Sequence, residues 1–356
     1  MIPESPPIAE SPAPPAESDS APWRRALAGA VRDVDRLLAL LDLDRATLAA
    51  AGLPVADAGV TGFPLRVPHA FVARMRRADP HDPLLRQVLS AGAELEPTEG
   101  YVEDPLAEAE ATTVPGLLHK YRGRVLLVVT GACAVHCRYC FRRHFPYGEH
   151  QPHEAGWAAA VDAIADDPSI DEVILSGGDP LSVSDDKLAR LVARLAAVPH
   201  LRRLRVHTRL PIVLPERVDA ALLGWLTAAP ALRPVVVVHA NHEREIDPAV
   251  ADAAARLRGA GVQVLNQAVL LAGVNDSVRA LRDLSVALFD AGIMPYYLHL
   301  LDRVHGAAHF EVATATARRL IHDLTAELPG YLVPRLVRED PRAPSKTPLG
   351  PVCDPA

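Results

Sequence analysis

Gly131-Ala-Cys133-Ala-Val-His136-Cys137-Arg-Tyr139-Cys140-Phe-Arg142-Arg-His144 is the stretch on which the reading of this chain turns. Its three cysteines are spaced C-x3-C-x2-C. The apolar run at 125–129 precedes it and ends at Thr130-Gly131, which reads as a buried strand feeding a loop. Three thiolates on one short loop can converge on one metal centre, but a closed tetrahedral zinc site takes four ligands. A cubane iron–sulfur cluster held by three cysteines leaves one iron open to another ligand. A zinc site completed by His136 or His144, and a chance grouping, are the competing readings. A disulfide is disfavoured, because the chain shows no export signal.

The rest of the composition narrows the class. The 356-residue chain is 49% hydrophobic and 23% charged, which suits a globular enzyme of one large domain or two. No apolar run reaches the ~18–20 residues of a membrane span, and the amino terminus lacks a basic and apolar leader. A cytoplasmic location with no membrane contact is therefore expected. A net charge of −7 argues against a nucleic-acid surface. Only three of the 37 basic residues are lysines, at 120, 187 and 346. A lysine kept in so arginine-rich a chain is a candidate for work a guanidinium cannot do, such as forming a Schiff base. Lys187, in Ser184-Asp-Asp-Lys187, reads as ordinary helix surface.

Residues 1–21 are rich in Pro, Ala, Ser and Glu and are expected to be disordered. Residues 22–105 pattern as short helices and read as a small helical N-terminal domain. Residues 101–116 read as an acidic connection. Six strands follow, at 125–129, 172–176, 204–208, 235–240, 262–269 and 294–301. Helical windows at 157–165, 185–197, 217–228, 248–259, 278–291 and 313–328 alternate with them. This predicts an α/β fold with a parallel sheet and right-handed crossovers over 106–340. Six units fall short of the eight of a closed barrel, and a doubly wound sheet is the fallback. Residues 341–356 form a C-terminal segment carrying Lys346, read as returning to the barrel.

Ligands of such sheets gather at the carboxyl ends of the strands. There lies Ser176-Gly177-Gly178-Asp179, where two glycines permit close backbone approach. His207 and Gln267 put polar groups into strands that otherwise read apolar, and buried polar groups need partners. His239, Asn241 and His242 read as local capping or core residues.

Together these stretches resemble the radical S-adenosylmethionine enzymes, and within them the lysine 2,3-aminomutase family. The resemblance runs from 65 to 349. It is carried by Pro115-Gly-Leu-Leu-His-Lys-Tyr121, the cysteine loop through Tyr147, Ser176-Gly-Gly-Asp-Pro-Leu181, Arg209-Leu-Pro-Ile-Val-Leu-Pro215, Pro295-Tyr-Tyr-Leu-His-Leu-Leu-Asp302 and Pro344-Ser-Lys-Thr-Pro348. It implies a partial (β/α)6 barrel and a [4Fe-4S] cluster on Cys133, Cys137 and Cys140. It implies S-adenosylmethionine, contacted by Ser176, Gly177, Gly178, Asp179, His207 and Gln267. It implies pyridoxal 5′-phosphate as a Schiff base on Lys346, with Lys120 and Arg124 at its phosphate. Arg142 is implied for the carboxylate of a free L-lysine substrate, and Asp302 with Glu339 for its side-chain ammonium.

Several positions depart from the catabolic members of that family. Glu339 stands where they carry aspartate. Arg342-Ala-Pro-Ser345 replaces a glycine run, the turn Gly273-Val-Asn-Asp-Ser277 lacks their zinc-binding cysteine, their cysteine-rich extension is missing, and Cys353 stands alone. These departures point to the branch whose β-lysine product a ligase attaches to translation elongation factor P. An external one-electron reductant of the flavodoxin type is implied, and a homo-oligomer is compatible. The competing functions are a catabolic or biosynthetic amino-acid 2,3-aminomutase and a non-catalytic iron–sulfur or zinc protein.

Overall fold

The computed structural model describes residues 21–57, 62–150 and 153–350. The segment 1–21 expected to be disordered lies, but for Ala21, outside the described residues, as does the solitary Cys353.

Ten strands form one sheet in strict sequence order. Strands β1 (Thr112–Val114) and β2 (Leu117–Tyr121) lead antiparallel into β3 (Arg124–Thr130). Parallel to β3 then run β4 (Glu172–Gly177), β5 (Arg203–Thr208), β6 (Arg233–Val238), β7 (Gln263–Val269), β8 (Met294–His299) and β9 (Arg335–Arg338). The two-residue β10 (Thr347–Pro348) returns antiparallel on β9. The order never reverses, so the described strands hold no doubly wound switch point. Strands β1 and β10 are not paired with each other, so the barrel stays open.

The six expected β–α units are present. β9 adds a seventh parallel strand, built from the apolar residues before the C-terminal segment. The acidic connection is a correction. Within it, Glu108–Ala111 form a helical turn and the backbone of β1 pairs with β2, so the stretch is part of the sheet edge.

Short helices α1 (Pro22–Ala28), α2 (Val34–Leu40) and α3 (Arg45–Ala50) open the chain. Helices α4 (Glu154–Asp166), α5 (Asp185–Ala196), α6 (Ala220–Leu226), α7 (Pro248–Gly259), α8 (Val278–Asp290) and α9 (Thr314–Glu327) form the crossovers. In α5, Leu188, Leu191, Val192 and Leu195 are buried, an i, i+3, i+4, i+7 stripe that seats the helix on the sheet. Asp219, Asp247 and Ser277 start α6, α7 and α8 by accepting from first-turn amides. β3 is buried along Val125, Leu127, Val128 and Val129, as expected of a strand covered on both faces.

Trp23, Leu37, Leu38 and Leu48 of the N-terminal helices belong to the same apolar cluster as the barrel strands. The Arg217 guanidinium lies 4.5 Å over the Trp23 ring, and Arg74 donates to the Glu245 carbonyl at 2.6 Å. The N-terminal segment and the barrel thus share one core. No described helix is long and apolar enough to cross a membrane.

Candidate active site

A cavity of about 440 Å³ occupies the barrel, and Cys133, Cys137, Cys140 and Lys346 all line it. The other implied residues, Lys120, Arg124, Arg142, Ser176, Gly177, Gly178, Asp179, His207, Gln267, Asp302 and Glu339, line it too. Most of these stand at the carboxyl ends of strands or just beyond them. Lys120 and Arg124 instead come from β2 and the start of β3.

Two glycines shape the cysteine loop. Gly177 has φ +117°, and a Cβ there would sit 2.6 Å from the Thr130 carbonyl oxygen. A Cβ on Gly178 would overlap the Ala132 carbonyl. The backbones are clasped: Gly178 N–H donates to Thr130 O at 2.6 Å and Asp179 N–H to Ala132 O at 2.7 Å. Side chains at 177 or 178 would push the loop off β4.

The donor set fits an iron–sulfur cluster. All three thiols are free and face one cavity. Arg209 donates from Nη1 to Cys137 Sγ at 2.7 Å and to the Tyr139 hydroxyl at 2.7 Å. Burial pushes the Cys140 thiol up to about 11 and the Cys133 thiol well above its ordinary range. Coordinated iron reverses that preference, because a metal-bound thiol is deprotonated outright. The zinc alternatives meet a different geometry. His136 Nδ1 is 2.8 Å from the Pro64 carbonyl and its ring stacks on Phe63, while His144 meets His305 edge to face. Among the described residues no three His, Cys, Asp or Glu side chains converge for a single ion.

Asp179 differs from expectation. Its carboxylate accepts from Leu181 N–H, the Thr208 hydroxyl, Arg209 N–H and Leu210 N–H at 2.7–3.1 Å. Four donors fill a carboxylate's complement, so Asp179 ties β4 to β5 and is not a free acceptor. Arg142 also differs. Its Nε and Nη2 grip both oxygens of the buried Glu108, and Nη1 donates to Ser176 Oγ at 3.1 Å and Gly177 O at 3.2 Å. The bidentate edge expected for a substrate carboxylate is taken, leaving one Nη2–H.

His207 and His299 each keep a buried Nε2 with no hydrogen-bond partner, on the wall of this cavity. Burial holds both rings neutral, His299 down at about 3. Such orphaned atoms mark places where a ligand would complete the hydrogen bonding. His239 is a correction to the capping reading: its Nε2 meets Gln267 Nε2 at 3.1 Å and its ring lines the cavity. Asn241 holds the core as expected, donating to Tyr139 and Gln87, and His242 caps a turn by accepting from Arg244 N–H at 3.3 Å.

Lys346 pairs with the Glu339 carboxylate, which also accepts from Tyr121 and, at 3.2 Å, from Lys120. Burial would raise Glu339, but the charge and hydrogen bond of Lys346 and the Tyr121 bond outweigh it and hold Glu339 near 2. Burial, and then the Glu339 charge, push Asp302 up to about 7. Arg124 lies 4.6 Å over the Tyr121 ring, and Lys346 Nζ lies 5.9 Å over Tyr297. Basic groups beside aromatic rings and an amine suit a phosphorylated aromatic aldehyde. Sequence reading gave no site role to Glu108, Tyr121, Arg209 or His299, although the last three stand in stretches that carry the resemblance. Of these, His299 carried a signal, a polar residue inside the apolar run of β8.

Comparison with known proteins agrees. The Radical SAM superfamily profile matches residues 127–284. The chain is 50% identical over 327 residues to the L-lysine 2,3-aminomutase of Escherichia coli strain K12, covering 92% of this chain and 94% of that one. It is 45% identical over 329 residues to the enzyme of the same name from Haemophilus influenzae, covering 91% and 94%. Against that of Clostridium subterminale the identity is 37% over 276 residues, covering 77% of this chain and 65% of that one. An open parallel barrel with three cysteines facing its cavity, joined to identities of this size and span, places the chain in one group: it belongs to the lysine 2,3-aminomutase family of radical SAM isomerases.

Proposed function

We propose that the chain converts free L-lysine to β-lysine with pyridoxal 5′-phosphate on Lys346, and that this product serves the β-lysylation of elongation factor P. The observation that carries the reading is that Lys346 and the three cysteines, some 200 residues apart in the sequence, line one cavity. When bound, the cluster with S-adenosylmethionine supplies a carbon radical, and pyridoxal phosphate supplies the π-system across which an amino group migrates.

The chain's own residues do the rest. Cys133, Cys137 and Cys140 hold the cluster. Ser176, Gly177, Gly178, His207 and Gln267 form the wall against S-adenosylmethionine, with Asp179 bracing it. Lys120 and Arg124 take the phosphate. The remaining Nη2–H of Arg142 meets the substrate carboxylate, and Asp302 with Glu339 orients its distant ammonium. Holding both ends of the substrate keeps a reactive radical on one carbon. The apolar stretch of Val125, Leu126 and Ile174 on the cavity wall limits water.

The assignment to the elongation-factor branch rests on Pro344-Ser-Lys-Thr-Pro348 without a preceding glycine run, and on the Gly273 turn without a cysteine. A flavodoxin-like reductant, a partner ligase, a cytoplasmic setting and a homo-oligomer belong to the same reading. So does the division at 21/22, 105/106 and 340/341, taken as segments around one core. Anaerobic incubation with lysine, S-adenosylmethionine and reductant, followed by chiral product analysis, tests it. No β-lysine from the reconstituted enzyme would refute the reading. Transfer of the product to elongation factor P by a ligase, read as a mass increase, tests the branch.

A further inference from the structure

A second cavity, of about 620 Å³, lies outside the catalytic one and shares no lining residue with it. Four of its lining residues hold buried polar atoms without a hydrogen-bond partner: Trp23 Nε1, Trp157 Nε1, Arg66 Nε and Ser182 Oγ. Both tryptophans are more than nine-tenths buried. An indole N–H and an arginine N–H donate only, so at least three of these four atoms call for an acceptor. An unmet buried donor is costly, and four at one cavity mark a place where a ligand completes the hydrogen bonding.

The helix starts agree. His153 and Ser184, the N-cap residues of the 13-residue α4 and the 12-residue α5, both line this cavity. Neither N-cap side chain bonds its own helix. Uncapped first-turn amides and the positive end of the helix dipole favour an anion.

Charge points the same way. Arg32, Arg66 and Lys187 line the cavity of a chain whose net charge is −7. Burial, and then the nearby charge of Arg32, hold the Arg66 guanidinium below its ordinary range. The acid on the wall, Glu154, already accepts from Arg190 at 2.6 Å. Asp185 and Asp186 in the first turn of α5 oppose an anion, but Asp185 is engaged by Arg217 and by the Trp225 N–H.

The lysine count sharpens this. Of the chain's three lysines, Lys120 and Lys346 line the catalytic cavity and Lys187 lines the second. Lys187, read from sequence as plain helix surface, thus stands where a compact ammonium would meet an oxyanion.

We propose that this second cavity is a ligand site for an oxyanion of the phosphate class, bound by Lys187, Arg66 and the two indole N–H groups. The source is either free phosphate or the phosphate of a nucleotide. The test uses the full chain and titrates inorganic phosphate, pyrophosphate and adenosine monophosphate by calorimetry and tryptophan fluorescence. Expected is saturable binding that weakens about 10-fold in Lys187→Ala, the loss of one charge-assisted contact. Arg124→Ala, at the catalytic cavity, should leave this binding intact. Lys187→Ala should leave lysine turnover unchanged. Where Lys187→Ala weakens both, tighter binding of the nucleotide than of phosphate identifies a nucleotide site, and equal binding a free-anion site. Trp157→Phe keeps the ring and should weaken binding as well. Because Lys187 is exposed, its variant carries the test if Trp157→Phe fails to fold. Binding of none of the three ligands, or binding abolished by Arg124→Ala and untouched by Lys187→Ala, overturns the proposal.

Discussion

Glu339 and Lys346 face each other across the last hairpin of the sheet. Arg338 pairs with Thr347 and Val337 with Pro348, and the next step of that register sets Glu339 opposite Lys346. Their side chains form an ion pair at the cavity wall. A two-residue strand thus fixes the amine that the proposed function needs. The carboxylate that pairs with it also holds Lys120 and Tyr121.

Replacing that amine is the most direct check. Lys346→Ala should abolish the visible absorbance of bound pyridoxal phosphate and lower turnover on the order of 10³-fold or more. Lys346→Arg should not restore it, since a guanidinium stays protonated and forms no Schiff base. An absorbance band that survives in Lys346→Ala would remove the residue from the chemistry.

Asp302 and Glu339 titrate in opposite directions. Asp302 is raised from 3.8 to about 7, so its neutral form is favoured in the fold. Its contribution is fully present below about pH 4 and is lost as pH rises through about 7. Glu339 is lowered from 4.5 to about 2. Its contribution is present above about pH 4.5 and is lost as pH falls through about 2. A bound ammonium draws Asp302 back toward its charged form, so lysine binding should release a proton near neutral pH. Calorimetry in buffers of different ionisation enthalpy reads that release, and Asp302→Asn should eliminate it. Proton uptake on binding would contradict the assignment.

The buried pair of Glu108 and Arg142 holds the cysteine loop against β4. Glu108→Ala leaves the guanidinium buried without its partner, a loss of about 3–5 kcal/mol. Thermal unfolding should show the midpoint falling by about 4–7 °C, because an unfolding entropy of about 2.1 cal/mol/K per residue over 356 residues gives about 1.3 °C per kcal/mol. Glu108→Gln, which keeps an acceptor, should fall less. Equal behaviour of the two variants would show that the carboxylate's charge, and not an acceptor at that place, is what matters.

Arg209 places a positive charge and a hydrogen bond on Cys137 Sγ. Hydrogen bonds to cluster sulfurs and nearby charge set reduction potentials. Arg209→Gln should therefore shift the cluster midpoint downward in a redox titration followed by electron paramagnetic resonance. An unchanged or higher midpoint would count against this role.

Gly178→Ala tests the clasp between the loop and β4. Its methyl group would overlap the Ala132 carbonyl, which is backbone and cannot swing aside. The variant should bind less iron per chain after anaerobic reconstitution, whereas Gly224→Ala, which meets nothing within 4 Å, should load normally. Full iron loading in Gly178→Ala would show that the loop tolerates the displacement.

The sequence by itself determined the alternation of six strands and six helices, because strand and helix periods are local properties of the chain. It determined the cysteine loop too, since its three ligands lie within eight consecutive residues. The scarcity of lysine narrowed the Schiff-base candidates to three, and the resemblance of Pro344-Ser-Lys-Thr-Pro348 to the family singled out Lys346. Only the tertiary structure decided that Glu108 takes the paired edge of Arg142 and that Asp179 accepts from Thr208, Arg209 and Leu210 at the end of β5. Those partners lie 34 and about 30 residues away in sequence, and no local pattern records them. The same holds for the second cavity. Trp23, Arg66, Trp157 and Lys187 come from four distant segments, each with an ordinary local reading, and become a set only where helix starts, strand and N-terminal helix meet. Hydrogen-bond satisfaction is a property of the folded neighbourhood, so an unmet donor has no signature in a linear sequence.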